Sequence, residues 1–138
     1  MKINLLECGP RDGWQNLKQM LPIEEKKHII DGLVDAGVTM LEATSFVSPK
    51  AIPQLADSKA VTEAVLKKYP GLDLFALVPN LRGAQNAYEL GLRKVCYVVS
   101  LSKSHNKANI NRTLQGDPFC LPRLEYRGGS RYDLRLPV

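Results

Sequence analysis

Short apolar runs alternate with amphipathic stretches along the chain. Ile3 to Leu6 reads as a strand, and the breakers Gly9-Pro10 and Asp12-Gly13 that follow predict a stop and a turn. Pro22-Ile23-Glu24-Glu25 then opens a helix, its early acids complementing the helix dipole. Ile29, Ile30, Leu33 and Val34 recur at helical spacing, and Gly37 supplies a stop. Glu24, His28, Asp31 and Asp35 fall on the opposite face, so His28 reads as a solvated helix residue rather than a ligand. Val38 to Phe46 is the second predicted strand, and a helix follows the Ser48-Pro49 and Pro53 punctuation to about Lys68. Leu72 to Val78 is the third strand. Leu81 to Leu90 is a helix with Asn80 as its N-cap. Lys94 to Leu101, rich in valine, suits a fourth strand buried on both faces.

Strands alternating with helical patterns imply parallel βαβ units in an α/β fold. In such a sheet, ligands bind at the C-terminal ends of the strands. Arg11 and Asp12 stand at the end of the first predicted strand, and a carboxylate with a guanidinium there suits a hard divalent cation or an oxyanion. A surface turn closed by a local Arg–Asp ion pair is the plainer alternative. Glu42 lies inside an otherwise apolar run, where a carboxylate is costly unless paired. It is either matched by a basic neighbour in the packed interior or pointed into the site beside Arg11 and Asp12. The polar stretch Ser102 to Asn111 would lie at the same edge as Arg11 and Asp12. Its His105 has no second histidine at metal-ligand spacing.

Composition narrows the function classes. With 138 residues, 44% hydrophobic and 24% charged, the chain is an ordinary globular domain with a modest core. No apolar run approaches the roughly 20 residues that span a membrane. Met1 stands two residues before the first predicted strand, which leaves no room for a leader and suggests the cytoplasm. Cys8, Cys96 and Cys120 suit reduced thiols better than a disulfide framework. A net charge of +5 favours an anionic ligand. The lysines are scattered, which argues against nucleic acid as a partner.

Glu7-Cys8-Gly9-Pro10-Arg11-Asp12-Gly13-Trp14-Gln15-Asn16 resembles the first-strand signature of the metal-dependent lyase and synthase barrels. Gly-Pro before Arg-Asp, and Gln-Asn after Trp14, resemble the 3-hydroxy-3-methylglutaryl-CoA lyase branch. The block Leu41-Glu42-Ala43-Thr44-Ser45-Phe46-Val47-Ser48-Pro49-Lys50 is similar to the same family. So are Leu77-Val78-Pro79-Asn80 with Arg82-Gly83, and Asn109-Ile110-Asn111. The resemblance covers residues 1–116 and implies the N-terminal half of a (β/α)8 TIM barrel, with about four parallel strands and intervening helices. A complete barrel typically needs about 250 residues, so this chain would not close one alone.

The resemblance implies cleavage of 3-hydroxy-3-methylglutaryl-CoA to acetoacetate and acetyl-CoA with a divalent metal, Mg²⁺ or Mn²⁺. It implies Asp12 as metal ligand, Arg11 and Glu42 as catalytic residues, and Arg11, Gln15 and Ser45 as substrate contacts. Trp14 and Leu17-Lys18 depart from the family pattern, which more often has a leucine and then an acid. The His-x-His pair that completes the family's metal site is absent, and no cysteine stands in the context of the catalytic one. The alternative reading is a non-catalytic, truncated product that associates with itself or with a full-length partner through open barrel edges. From residue 117 the texture changes: residues 117–138 hold four Arg and no Lys, against four Arg and eleven Lys before them. An irregular tail, out of frame or alternatively spliced, is expected there.

Overall fold

Three parallel strands form the centre of the computed structural model, which describes residues 3–98, residues 102, 104, 107 and 108, and the backbone of 131–133. β1 spans Met40–Ser45, β2 Asp73–Leu77 and β3 Lys94–Cys96, side by side in chain order. α1 (Gly9–Gln15) and α2 (Ile23–Asp35) precede β1. α3 (Ser58–Lys68) links β1 to β2, and α4 (Leu81–Glu89) links β2 to β3. This repeated strand–helix order is the expected partial (β/α)8 architecture. Leu41, Leu74, Ala76, Val78 and Val95 join Ile30, Val61, Val65, Ala84 and Ala87 of the helices in one core.

The first predicted strand is reduced to one parallel bridge, Glu7 to Leu41. The Glu7 N–H donates to Met40 O at 3.0 Å, and the Glu42 N–H to Glu7 O at 2.8 Å. Ile3 and Leu5 are 71% and 81% exposed, so the residues before the bridge have no described neighbour to bury them and form no ladder. The turn expected at Gly9–Gly13 is the opening of α1 instead. Pro10 ends the extended segment as a breaker should, but in the first turn of a helix its fixed φ and missing N–H carry no penalty.

α2 follows its pattern with one exchange. Ile30 is buried, whereas Ile29, expected on the same face, is 41% exposed; the stripe is completed by Lys26, which is fully buried. His28 is exposed, as its polar face requires. Gly37, with φ +93, closes the helix in the left-handed conformation that glycine adopts without strain.

Between Glu42 and Thr44 the β1–β2 register shifts, and this bulge moves Thr44 opposite Ala76. Thr44 Oγ1 then donates to Ser58 Oγ of α3 at 2.7 Å. Asn80 caps α4 as predicted, its Oδ1 accepting from the Gly83 N–H at 2.9 Å. A Cβ on Gly83 would lie 3.1 Å from Phe46 O, so this glycine lets α4 approach the end of β1.

A fourth strand, β4 (Arg131–Asp133), runs antiparallel to β3 with Val95 opposite Tyr132. It adds one short strand to the tail, and the parallel strands number three, with the Glu7 bridge in place of the first predicted one. An open strand edge is a template for pairing, and β4 occupies that of β3. His105, the block Asn109-Ile110-Asn111 and Cys120 lie outside the described residues. No helix among the described residues is long and apolar enough to cross a membrane.

Replacing Asn80 by alanine removes the cap of α4 and is expected to cost about 1 kcal/mol. Urea unfolding should show a lower midpoint at constant slope, while the exposed Asn86→Ala should leave it unchanged.

Candidate active site

Glu42 is only 2% exposed, and its partner comes from the helix that follows the Glu7 bridge. Arg11 Nε donates to Glu42 Oε1 at 2.5 Å, with 17% of the arginine side chain exposed. The two alternatives for Glu42 therefore coincide, since the basic neighbour that pairs it is the candidate site residue itself. Its backbone explains the meeting. The Glu42 N–H bonds the carbonyl of Glu7, two residues before α1, so β1 and the start of α1 are held at one height.

Arg11 Nη1 also donates to Asp12 Oδ1 at 2.7 Å, and Gln15 Nε2 reaches the same oxygen at 3.0 Å. Gln15 stands four residues after Arg11 and three after Asp12, on neighbouring helical positions. Asp12 is exposed, so its pair with Arg11 is a solvent-screened one. Arg11, Gln15 and Asn16 line the polar side of a cavity of about 600 Å³. Ile52, Leu77 and Val98 are among the residues of its apolar side. A charged group beside an apolar wall suits an acyl chain with an oxygen-rich end.

Ser45 is not brought to that group. It is fully buried and lines a separate cavity of about 280 Å³ with Ser58, Lys59 and Glu89. Its Oγ accepts from the Val47 N–H at 3.2 Å, and its carbonyl accepts from Ser58 Oγ at 2.6 Å. The structure thus assembles Arg11, Asp12, Gln15 and Glu42 and sets Ser45 apart.

Two cysteines that carried no role in the sequence flank Glu42. Cys8 Sγ lies 3.9 Å from Glu42 Oε2. Partial burial, then the Glu42 charge, push the Cys8 thiol above its ordinary range, with Arg11 opposing. Burial pushes the Cys96 thiol much further up, aided by a hydrogen bond to Glu42 and by its charge. Both thiols therefore keep their protons at neutral pH and are poor nucleophiles. Only the sheet register shows this grouping, because Cys96 is 54 positions from Glu42 in sequence but stands opposite Leu77, the partner of Ser45.

Lys26 is the other residue that sequence reading missed. Its Nζ donates to Gln54 O and to Asp57 Oδ1, each at 2.6 Å, and lies 5.4 Å from the centroid of the Trp14 ring. The signal was present, since Lys26, Ile30 and Leu33 share the i, i+4, i+7 stripe of α2.

The described residues do not make a metal site by themselves. Asp12 brings one carboxylate, with an oxygen already accepting from Arg11 and Gln15. No group of three His, Cys, Asp or Glu among the described residues could hold an ion.

Residues 2–116 match the family model described as HMGL-like. The mitochondrial hydroxymethylglutaryl-CoA lyase of Arabidopsis thaliana is 45% identical over 113 residues, which are 82% of this chain and 24% of that protein. The 3-hydroxy-3-isohexenylglutaryl-CoA/hydroxymethylglutaryl-CoA lyase of Pseudomonas aeruginosa is 40% identical, over 83% of this chain and 38% of its own length. Among solved structures, the HMG-CoA lyase of Bacillus subtilis superposes with a TM-score of 0.75 at 40% identity, covering 83% of this chain and 38% of that one. A second, from Acinetobacter baumannii in complex with coenzyme A and 3-methylmalate, gives 0.73 at 37% identity, covering 80% and 36%. The chain thus spans well under half the length of these relatives.

Glu42→Gln removes the charge that raises both thiols, so Cys8, the more accessible, should react several times faster with an alkylating reagent at pH 8. Rates followed by mass spectrometry check this. Arg11→Met strands a buried carboxylate and should cost about 2 kcal/mol or more, whereas Arg11→Met with Glu42→Leu should recover most of that loss. Denaturant titration of the two variants separates the outcomes.

Proposed function

The chain belongs to the HMGL-like family, and we propose that it supplies the Arg11–Asp12–Glu42 edge of a carbon–carbon lyase acting on 3-hydroxy-3-methylglutaryl-CoA. The products are acetoacetate and acetyl-CoA. The observation that carries this reading is the buried Glu42 carboxylate holding Arg11 at the rim of a partly apolar cavity. Relatives named for this activity, and a neighbour structure holding coenzyme A, support an acyl-CoA ligand.

The reaction is a reverse Claisen cleavage. The tertiary hydroxyl gives up its proton to a base as the adjacent C–C bond breaks. The electron pair of that bond becomes the enolate of the thioester, which takes a proton at carbon. Arg11 has five N–H donors, and those not engaged by Glu42 and Asp12 remain for an enolate oxygen in the cavity. Pinned by Glu42, the guanidinium needs little reorganisation to meet the developing charge, which is the condition under which such a donor contributes most. Glu42 sets the protonation state at this edge through that pairing. Gln15 orients Asp12 and borders the cavity. Ser45, in the neighbouring cavity, contributes as a support of the β1 end.

A divalent ion, Mg²⁺ or Mn²⁺, belongs to this reading with Asp12 as one ligand. One carboxylate from the described residues does not hold such an ion firmly. The free thiols Cys8 and Cys96 suit a reducing compartment such as the cytoplasm.

Acetoacetate release from 3-hydroxy-3-methylglutaryl-CoA tests the reading. It is measured for the chain alone and mixed with the unmatched remainder of the Pseudomonas aeruginosa relative. Release in the mixture should fall roughly 100-fold to 1000-fold on Arg11→Gln, the loss that follows removal of one preorganised donor. Folded components that release none would instead favour a non-catalytic chain acting by association.

A further inference from the structure

α1 is seven residues long, about two turns, and a helix that short does not hold itself in water. Its rotation is therefore set by anchors outside it. Arg11 meets Glu42. One turn further along, Trp14 is buried at 6% exposure with the Lys26 ammonium 5.4 Å from its ring centroid. Lys26 is itself fully buried on α2, held at 2.6 Å by both Gln54 O and Asp57 Oδ1. Gln54 also donates from Nε2 to Leu17 O at 2.7 Å, which ties the chain just past α1 to the same turn. A charge taken wholly out of water needs compensation from every side, and here the ring face supplies one of those sides.

We propose that Lys26 is a positioning residue for the site helix: its buried ammonium, fixed by Asp57 and Gln54, docks the Trp14 ring and so sets the rotation of α1 that brings Arg11 onto Glu42. Trp14 and Arg11 are three positions apart, on adjacent flanks of one helix. Turning the tryptophan away from Lys26 would therefore swing the guanidinium off the carboxylate. Its meaning for catalysis rests on the lyase reading above, whereas the coupling itself is a property of the folded chain and is measured without substrate.

The experiment is NMR exchange of the Arg11 Nε–H proton in the full chain, with circular dichroism as the check on folding. Trp14→Leu removes the ring and leaves the Lys26–Asp57 pair intact. Lys26→Met with Asp57→Leu replaces the pair by apolar groups of similar bulk. That exchange is tolerable because Asp57 Oδ2 is already buried without a hydrogen-bond partner. In both variants the Arg11 proton should exchange roughly tenfold faster with the circular dichroism spectrum retained, as local opening of α1 requires. Lys27→Met, on the same helix but paired only with Glu24 among the described contacts, should leave it unchanged. An Arg11 exchange rate that stays near the parent's in either folded variant overturns the proposal. So does a Lys27→Met effect as large as theirs. A chain that passes this test and releases no acetoacetate would fail the lyase reading alone.

Discussion

A carboxylate at 2% exposure is the constraint on which this structure turns. Ionised and unpaired inside a protein, it would cost several kcal/mol. Paired at 2.5 Å with Arg11, it becomes the point where the N-terminal segment, α1 and β1 must agree. The lone bridge at Glu7 makes that agreement possible, because it sets the height at which the chain leaves β1 and turns into α1. Asp12 and Gln15 then follow from helical spacing, and the cysteines from the register of the sheet.

The scaffold carries this polar cluster by sorting its faces. Leu41, Leu74, Ala76 and Val95 turn to the helices and form the core. Glu42 and Cys96 gather on the other side, where burial first, and Glu42 after it, raise the Cys96 thiol above its usual range. The bulge between Glu42 and Thr44 allows a polar pair, Thr44 and Ser58, to be buried and satisfied against α3 while the strand continues. Lys26 shows the same rule at the other end of α1: a charge is buried only where a carboxylate, a carbonyl and a ring surround it. The two buried charges, Glu42 and Lys26, both anchor the one short helix that bears the candidate chemistry.

Residues 2–116 match the HMGL-like model, while the pairing of Arg11 with Glu42 is seen in the fold itself. Trp14 is where this chain speaks for itself. Its buried ring meets a buried ammonium.

Resemblance to the lyase family brought in Gln15 and Ser45 and the roles of Arg11, Asp12 and Glu42. Local pattern alone determined the strand–helix order, the caps at Asn80 and Gly37, the solvated His28 and the standing of Arg11, Asp12 and Glu42 as candidates. Each of these depends on spacing or on the cost of burying a charge, which nearby residues reveal. Only the tertiary structure decided that Ile3 to Leu6 makes no strand, since a strand exists through its partner. It also separated Ser45 from the Arg11 cluster, placed Cys8 and Cys96 at Glu42, and took Lys26 inside in preference to Ile29. Those outcomes rest on residues distant in the chain meeting across the sheet. Register and packing alone determine which of them come within hydrogen-bonding reach.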